Sequence, residues 1–249
     1  MFKLNDKEKE YIRQVTRYLP KRRKGRRGPS PIKKEVIITE IYKLIKTNCG
    51  WRNIEHSTTC RKYISECQRR GTIKNFFNYL TKEYKKFRPK KVSIDSSLLE
   101  SYKNLKEVNY SGKSRNYCTK FTLAINSEYV PLYFSFAKGT ISESQQLDEM
   151  RSKMDKLPYE LFLDQGFEKY DRRRILKLNG CQVRMQQKIM KNNRKRGPKF
   201  VFTDEHRRER SKVERFFAWL KSFKAIRHRT TRIASLFHAF TIIAICFYI

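Results

Sequence analysis

The hydrophobic periodicity of the chain changes near residue 90, and that change restricts the fold more than any single motif. Upstream, apolar residues recur at helical spacing. Residues 5–19 form a charged amphipathic segment, and Val36, Ile37, Ile41 and Ile45 follow in KKEVIITEIYKLIKTNCGWRNIE, which turns at Asn48–Cys49–Gly50. Two more helical patterns run over about 59–68 and 73–87. Downstream of Lys90, Val92 and Ile94 alternate with Ser93 and Asp95, the period of a strand. KFTLAINSEYVPLYFSFAKGT reads as two β-rich runs joined at Asn126–Ser127–Glu128. A helix capped by Ser142 or Ser144 runs to about Lys156, and YELFLDQGF reads as a strand ending on Asp164. Helix 171–178, the strand CQVRMQQ, the basic loop KNNRKRGPK and the helix RERSKVERFFAWLKSF complete the order. Strands first, then alternating helices and strands, predict an α/β fold with a mixed sheet flanked by helices. A small all-helical region precedes it, giving an expected division into 1–88 and 89–249. Helix, glycine-containing turn, helix is also the skeleton of a helix-turn-helix module, though many helical bundles share it.

Charge narrows the partner. Lys and Arg number 58 against 24 Asp and Glu, a formal net charge of +34 spread from Lys7 to Arg232. Such an excess repels itself unless a polyanion neutralises it, and nucleic acid is the usual one. With 39% hydrophobic and 13% aromatic residues the chain still buries a core, which excludes a disordered basic tail. Two basic stretches suit a phosphate backbone: PKRRKGRRGPSP, with Arg22, Arg23, Lys24, Arg26 and Arg27, and the later Arg194, Lys195 and Arg196.

The six cysteines (Cys49, Cys60, Cys67, Cys118, Cys181 and Cys246) form no CxxC pair and read as reduced thiols of an intracellular protein. Cys49, His56, Cys60 and Cys67 match no compact zinc spacing, so no structural zinc is expected. The apolar run Ile233 to Ile249 falls short of the ~20 residues a membrane span requires. It is expected to close a core instead.

Three carboxylates remain to be explained. Asp95 and Asp164 each end an apolar strand by this reading. That is a common place for a loop cap, and also where α/β sheets put functional groups. Glu214 lies on the last amphipathic helix, where Val213, Phe216, Leu220 and Phe223 make the apolar stripe. Arg207, Arg210, Glu214 and Lys221 share a different face, within an arc of about 60° at ~100° per residue. Glu214 and Arg210 can be an ordinary i, i+4 ion pair. Alternatively, Asp95, Asp164 and Glu214 converge and hold two magnesium ions about 4 Å apart for phosphodiester chemistry, with manganese a possible substitute.

Here the residues resemble a known family. The order Asp95, Asp164, Glu214, with Arg210 four before the glutamate and Lys221 seven after it, resembles the DDE transposases of bacterial insertion sequences, particularly the insertion sequence five group. VERFFAWLKSFKAIRHR, GKSRNYCTKFTLAI and LDQGF are similar to that family's wording, and Arg207 stands where related groups often carry tyrosine. LPKRRKGRRGPSP and TNCGWRNIE, with Trp51 and Arg52, resemble its N-terminal helical DNA-binding region. The resemblance implies an RNase H-like catalytic domain over 89–249 with Asp95, Asp164 and Glu214 as metal-ligating catalytic residues. It implies Arg210 and Lys221 on phosphates, and cleavage and transfer of a mobile element's ends; Arg207, which departs from the family's pattern, is a DNA-binding candidate by its charge on the same face. It further implies double-stranded DNA as partner (terminal repeats and target), a homodimer on DNA, no membrane, and a cytoplasmic, DNA-associated location. A transposase-derived protein that binds without cutting, and a structure-specific nuclease of the same fold, remain open at this stage.

Replacing Arg22, Arg23, Arg26 and Arg27 by alanine should flatten the log–log salt dependence of DNA binding by up to about four units. An unchanged slope would return that stretch to an ordinary solvated loop.

Overall fold

The computed structural model describes residues 3–20, 31–167, 170–185 and 203–249, and over 170–173 the backbone alone. The chain divides into two compact units, Met1–Leu80 with Leu220–Ile249, and Thr81–Trp219.

The first unit is helical. Helix α1 (Asp6–Tyr18) opens with a capping box, in which the Asn5 side chain accepts from the Glu8 N–H and the Glu8 carboxylate accepts from the Asn5 N–H. Helix α2 (Lys34–Thr47) buries Ile37, Ile41 and Ile45 as its spacing predicts, together with Ile38, Tyr42 and Leu44. Val36 instead lies toward solvent. It stops at Asn48, whose left-handed φ of 55° ends the ladder. Helix α3 (Ser57–Arg69) places Cys60 and Cys67 in its buried face beside Tyr63 and Ile64, as packed thiols. Helix α4 (Thr72–Lys86) begins here and runs on into the second unit.

Two C-terminal helices belong to this first unit, α8 (Lys224–Arg227) and α9 (Ala234–Tyr248). This departs from the expected boundary, which kept 220–249 with the sheet. The reason is physical: α9 is apolar nearly all round, so it must be covered on several faces. Within the unit α9 packs against α3 and α8. Phe240 stacks 6.1 Å from Trp51, and the Ile243 carbonyl accepts from the Tyr11 hydroxyl. The run expected to close a core does so, and no described helix is long and apolar enough to cross a membrane.

The second unit contains the mixed sheet between helices. Strands β1 (Lys91–Ser101), β2 (Asn109–Ser111), β3 (Asn116–Asn126) and β4 (Pro131–Lys138) form the antiparallel part. β1 takes one edge of β3, while β2 and then β4 take successive stretches of the other. Helix α5 (Glu143–Lys153), strand β5 (Glu160–Leu163), helix α6 (Tyr170–Leu178) and strand β6 (Gln182–Met185) follow, β5 and β6 extending the sheet in parallel beyond β1. Helix α7 (Asp204–Leu220) is the last element of this unit.

Strand alternation decides which side each residue serves. Val92, Ile94, Leu161, Leu163, Val183 and Met185 cluster with Leu147 and Met150 of α5 and Leu176 of α6. Burying each such side chain is worth about 1.5–3 kcal/mol. Ser93 points the other way, and its hydroxyl donates to the Glu209 carbonyl of α7 at 3.0 Å. Lys91 pairs with Glu205 one turn earlier on the same helix. Strand and helix are thus locked in register, and the Phe121–Phe217 contact, 6.2 Å between centroids, extends the seam.

Glu8 is the polar keystone of the helical unit. It is almost fully buried, accepts from the Tyr42 hydroxyl at 2.9 Å and pairs with Lys46. Burial raises its carboxyl, but hydrogen bonds from Lys46, the Asn5 N–H and Tyr42 together outweigh it, and the net shift is downward. Glu8→Ala strands those donors and should cost about 2–4 kcal/mol by chemical denaturation. A loss under ~0.5 kcal/mol would assign the unit's stability to its apolar contacts alone.

Candidate active site

Parallel pairing sets the two aspartates side by side. The β1–β5 ladder runs Lys91 with Glu160, Val92 with Leu161 and Ser93 with Phe162. Two residues further along each strand lie Asp95 and Asp164, where this pairing has ended. Adjacent strands are ~4.8 Å apart, so the register alone delivers two carboxylates to one place. Asp95 is not at a strand end, as its flanking residues suggest. It sits inside β1, paired on its other side with Leu123 of β3. Asp164 follows β5 and leads into a 3-10 turn, Gln165–Phe167. In both aspartates Oδ1 accepts the N–H of the next residue at 2.7 Å, Ser96 in one case and Gln165 in the other.

Helix α7 brings the third carboxylate and a cation. Arg210 stands one residue past Glu209, whose carbonyl holds Ser93, and therefore beside Asp95. Its Nη1 lies 3.1 Å from Asp164 Oδ1, and its Nη2 lies 3.8 Å from Asp95 Oδ2 and 3.3 Å from Glu214 Oε1. The i, i+4 pair anticipated between Arg210 and Glu214 exists. The same guanidinium also reaches both aspartates, so the pair is part of a larger cluster. Val213, Phe216, Leu220 and Phe223 are buried as the stripe requires, although Phe223 lies past the helix end as the cap of α8. Side-chain exposure rises across the site, from 16% at Asp95 to 42% at Asp164 and 58% at Glu214. The site is deepest at Asp95 and open at Glu214.

Depth sets the electrostatics. Burial pushes the Asp95 carboxyl up to about 6, with Asp164 and Glu143 adding to the rise and the Ser96 N–H and Arg210 opposing it. His206, one turn before Arg210 and fully buried, is lowered by burial and by Arg210 against the pull of Asp164, which favours its neutral form. Its ring meets Phe162 edge-on at 5.7 Å. Among the described residues no three His, Cys, Asp or Glu side chains are spaced to hold a metal ion in this conformation. The donor chemistry nevertheless suits a hard divalent cation: three carboxylates and no sulfur, already gathered on one positive group.

The other residues singled out from sequence are dispersed. Arg207 is exposed and lies 3.4 Å from Asp204. Lys221 follows α7 within the helical unit, as do Trp51, half-buried on Phe240, and exposed Arg52. Arg22, Arg23, Lys24, Arg26, Arg27, Arg194, Lys195 and Arg196 lie outside the described residues. Sequence reasoning missed Ser96, His206 and Glu143. Ser96 was detectable as the polar residue after a candidate aspartate, and Glu143 as the acid directly behind a helix-capping serine; His206 had no local signal.

A mixed sheet between helices, with acidic residues supplied by neighbouring parallel strands and a following helix, defines the RNase H-like class of fold. Residues 86–249 match the Transposase DDE domain family, and the chain belongs to that family, whose members cleave and transfer nucleic-acid strands with divalent metal ions. Among solved structures it is similar to a piggyBac transposase in a synaptic complex with hairpin DNA. The likeness covers 95% of this chain and 69% of that one, at 10% identity and a TM-score of 0.53. Curated proteins give no match.

The Asp95 shift has a testable sign. A carboxyl with its folded pKa raised withdraws stability as pH climbs from its unfolded value, near 4, to about 6, and the full penalty applies above that. Asp95→Asn should therefore stabilise the metal-free protein at pH 7.5 by on the order of 2 kcal/mol, and by little at pH 4. Equal or lower stability of the variant at pH 7.5, by urea unfolding, would mean Arg210 outweighs burial.

Proposed function

We propose that the chain is the transposase of an insertion sequence of the insertion sequence five group, with Asp95, Asp164 and Glu214 as its catalytic carboxylates. The observation that carries this reading is the single guanidinium of Arg210, in contact with all three. An exposed helix pair would involve Glu214 alone. A trio drawn from two adjacent strands and a separate helix is instead an assembly for concentrating negative charge.

Asp95, Asp164 and Glu214 would hold magnesium. When bound, the metal activates the attacking oxygen and stabilises the departing one in an in-line displacement at phosphorus. In cleavage, water attacks the phosphorus at the element's end, the bridging 3′ oxygen leaves as a hydroxyl, and the flank keeps the phosphate. In transfer, that 3′ hydroxyl attacks a target phosphodiester and the target's own 3′ oxygen leaves, so one phosphodiester replaces another. The protein's part is to orient. Asp95 and Asp164 are fixed through the Ser96 and Gln165 N–H groups, and α7 is fixed through Ser93 and Lys91. Arg210 neutralises the carboxylates before loading and then turns to the phosphate, while Arg207 and Lys221 contact DNA outside this cluster.

The helical unit with Arg52 and Trp51, and the basic stretches Arg22–Arg27 and Arg194–Arg196, bind the terminal repeats and target as duplex DNA. Paired ends imply a homodimer on DNA, and the protein is assigned to the cytoplasm in association with DNA. The net charge of +34 supports the polyanion.

Glu214→Gln separates binding from chemistry. It keeps the size and one acceptor oxygen, leaves Val213, Phe216 and Leu220 untouched, and removes one negative charge. Gel shifts should show DNA affinity held or slightly raised. Magnesium-dependent nicking at the element's own ends should fall by at least ~10²-fold, and manganese binding should weaken. A variant that nicks as fast as the parent would make Glu214 an ion-pair partner only. Nicks without joined products would favour a nuclease.

A further inference from the structure

Glu143, the first residue of α5, reaches the residues that follow both aspartates. Its Oε1 accepts from the Ser96 hydroxyl at 3.3 Å, next to Asp95. Its Oε2 also points at Gly166 in the turn after Asp164. A methyl group added to Gly166 would overlap Oε2 and stand 2.6 Å from Cδ. Ser96 and Gln165 are the residues whose N–H groups hold Asp95 and Asp164. One carboxylate therefore touches both segments that carry the acidic pair, and it occupies the space a side chain at position 166 would enter.

The helix start is itself well fixed. Ser142 and Gln145 form a capping box, the Gln145 N–H lying 3.3 Å from the Ser142 hydroxyl. Lys120, which donates to the Ile141 carbonyl, supplies a nearby positive charge. An acid at a helix start is favourable on dipole grounds alone, by about 0.3–1 kcal/mol. That role needs neither the Ser96 bond nor an empty Cβ position at Gly166.

We infer that Glu143 is a positioning residue of the acidic site, clamping the segment after Asp95 to the turn after Asp164 and so setting the spacing of the two carboxylates. It acts through Ser96 and Gly166 and not on the reacting atoms. The inference rests on the function proposed above and adds a fourth carboxylate, one that works by hydrogen bond and shape.

Four variants test it, each checked by thermal unfolding: Glu143→Gln, Glu143→Ala, Gly166→Ala and the Glu143→Ala/Gly166→Ala double. Manganese affinity of the DNA-free protein is read by electron paramagnetic resonance, and kcat and KM by nicking of end DNA. Glu143→Gln keeps the acceptor and the volume and should stay within about threefold of the parent in both readouts. Glu143→Ala should lose about 10–100-fold in manganese affinity and in kcat, as outer-shell partners of metal ligands do, with KM for DNA unchanged. Gly166→Ala should reproduce that loss by expelling the carboxylate. The double variant should be no worse than Glu143→Ala, since the methyl then has no carboxylate to displace.

Glu143→Gln as damaging as Glu143→Ala would overturn positioning in favour of direct action by the charge. Additive losses in the double variant, or a lowered melting temperature with manganese affinity and kcat intact, would reduce Glu143 to a helix-start residue. A parent that binds manganese but never nicks end DNA would strike the proposed function alone, because the manganese comparison among the variants would still be read.

Discussion

Arg210 is the interaction around which the sheet unit is organised. Three carboxylates near one point repel one another, by about 4 kcal/mol per pair at 4 Å for an effective dielectric constant near 20. A guanidinium answers this better than an ammonium because its planar fork reaches several acceptors at once. Here Nη1 serves Asp164, and Nη2 lies between Asp95 and Glu214. Much of the rest of the unit delivers those groups to that fork. The parallel register of β1 and β5 aligns the aspartates, and the Lys91–Glu205 and Ser93–Glu209 contacts fix where α7 crosses the strand. Slipping that helix by one residue would turn Arg210 about 100° away from the pair.

The site and the fold were legible to different depths. Periodicity shows β1 and α7, because each carries a pattern of period 2 or 3.6, whereas β3 and β4 show as β-rich apolar runs and α5 through its Ser142 cap. The aspartates were picked out as isolated acids beside apolar strands, and Glu214 by its spacing to Arg210 and Lys221. That Arg210 touches all three could not be read, because it depends on β1 and β5 being neighbours across 69 positions of chain, from Asp95 to Asp164. Asp95 was mislocated to a strand end for a related reason. Ser96 and Ser97 look like loop residues locally, yet β3 continues to pair with β1 through Glu100. The grouping of α9 with the N-terminal helices was likewise hidden, since apolarity shows that a segment is buried but not against what. Glu143 is visible in sequence only as an acid behind a helix-capping serine; its contacts with Ser96 and Gly166 exist only in three dimensions.

The local charge runs opposite to that of the whole molecule. At net +34 the chain attracts a polyanion from many directions, yet one guanidinium leaves the carboxylate trio short of balance, with Glu143 close behind it. A phosphate approaching this point meets repulsion unless further positive charge accompanies it. Burial has already raised Asp95 to about 6, so its ionised form carries a desolvation penalty when nothing else is bound. Under the function proposed above, the same depth makes Asp95 the carboxylate that would gain most from a divalent cation, since the cation would offset the penalty that burial imposes. In that proposal broad basic charge would capture the polymer, and the acidic point would set where along it the chemistry occurs. On that proposal a phosphodiester would react only where cation and phosphate enter together, beside Arg210 where β1, β5 and α7 meet.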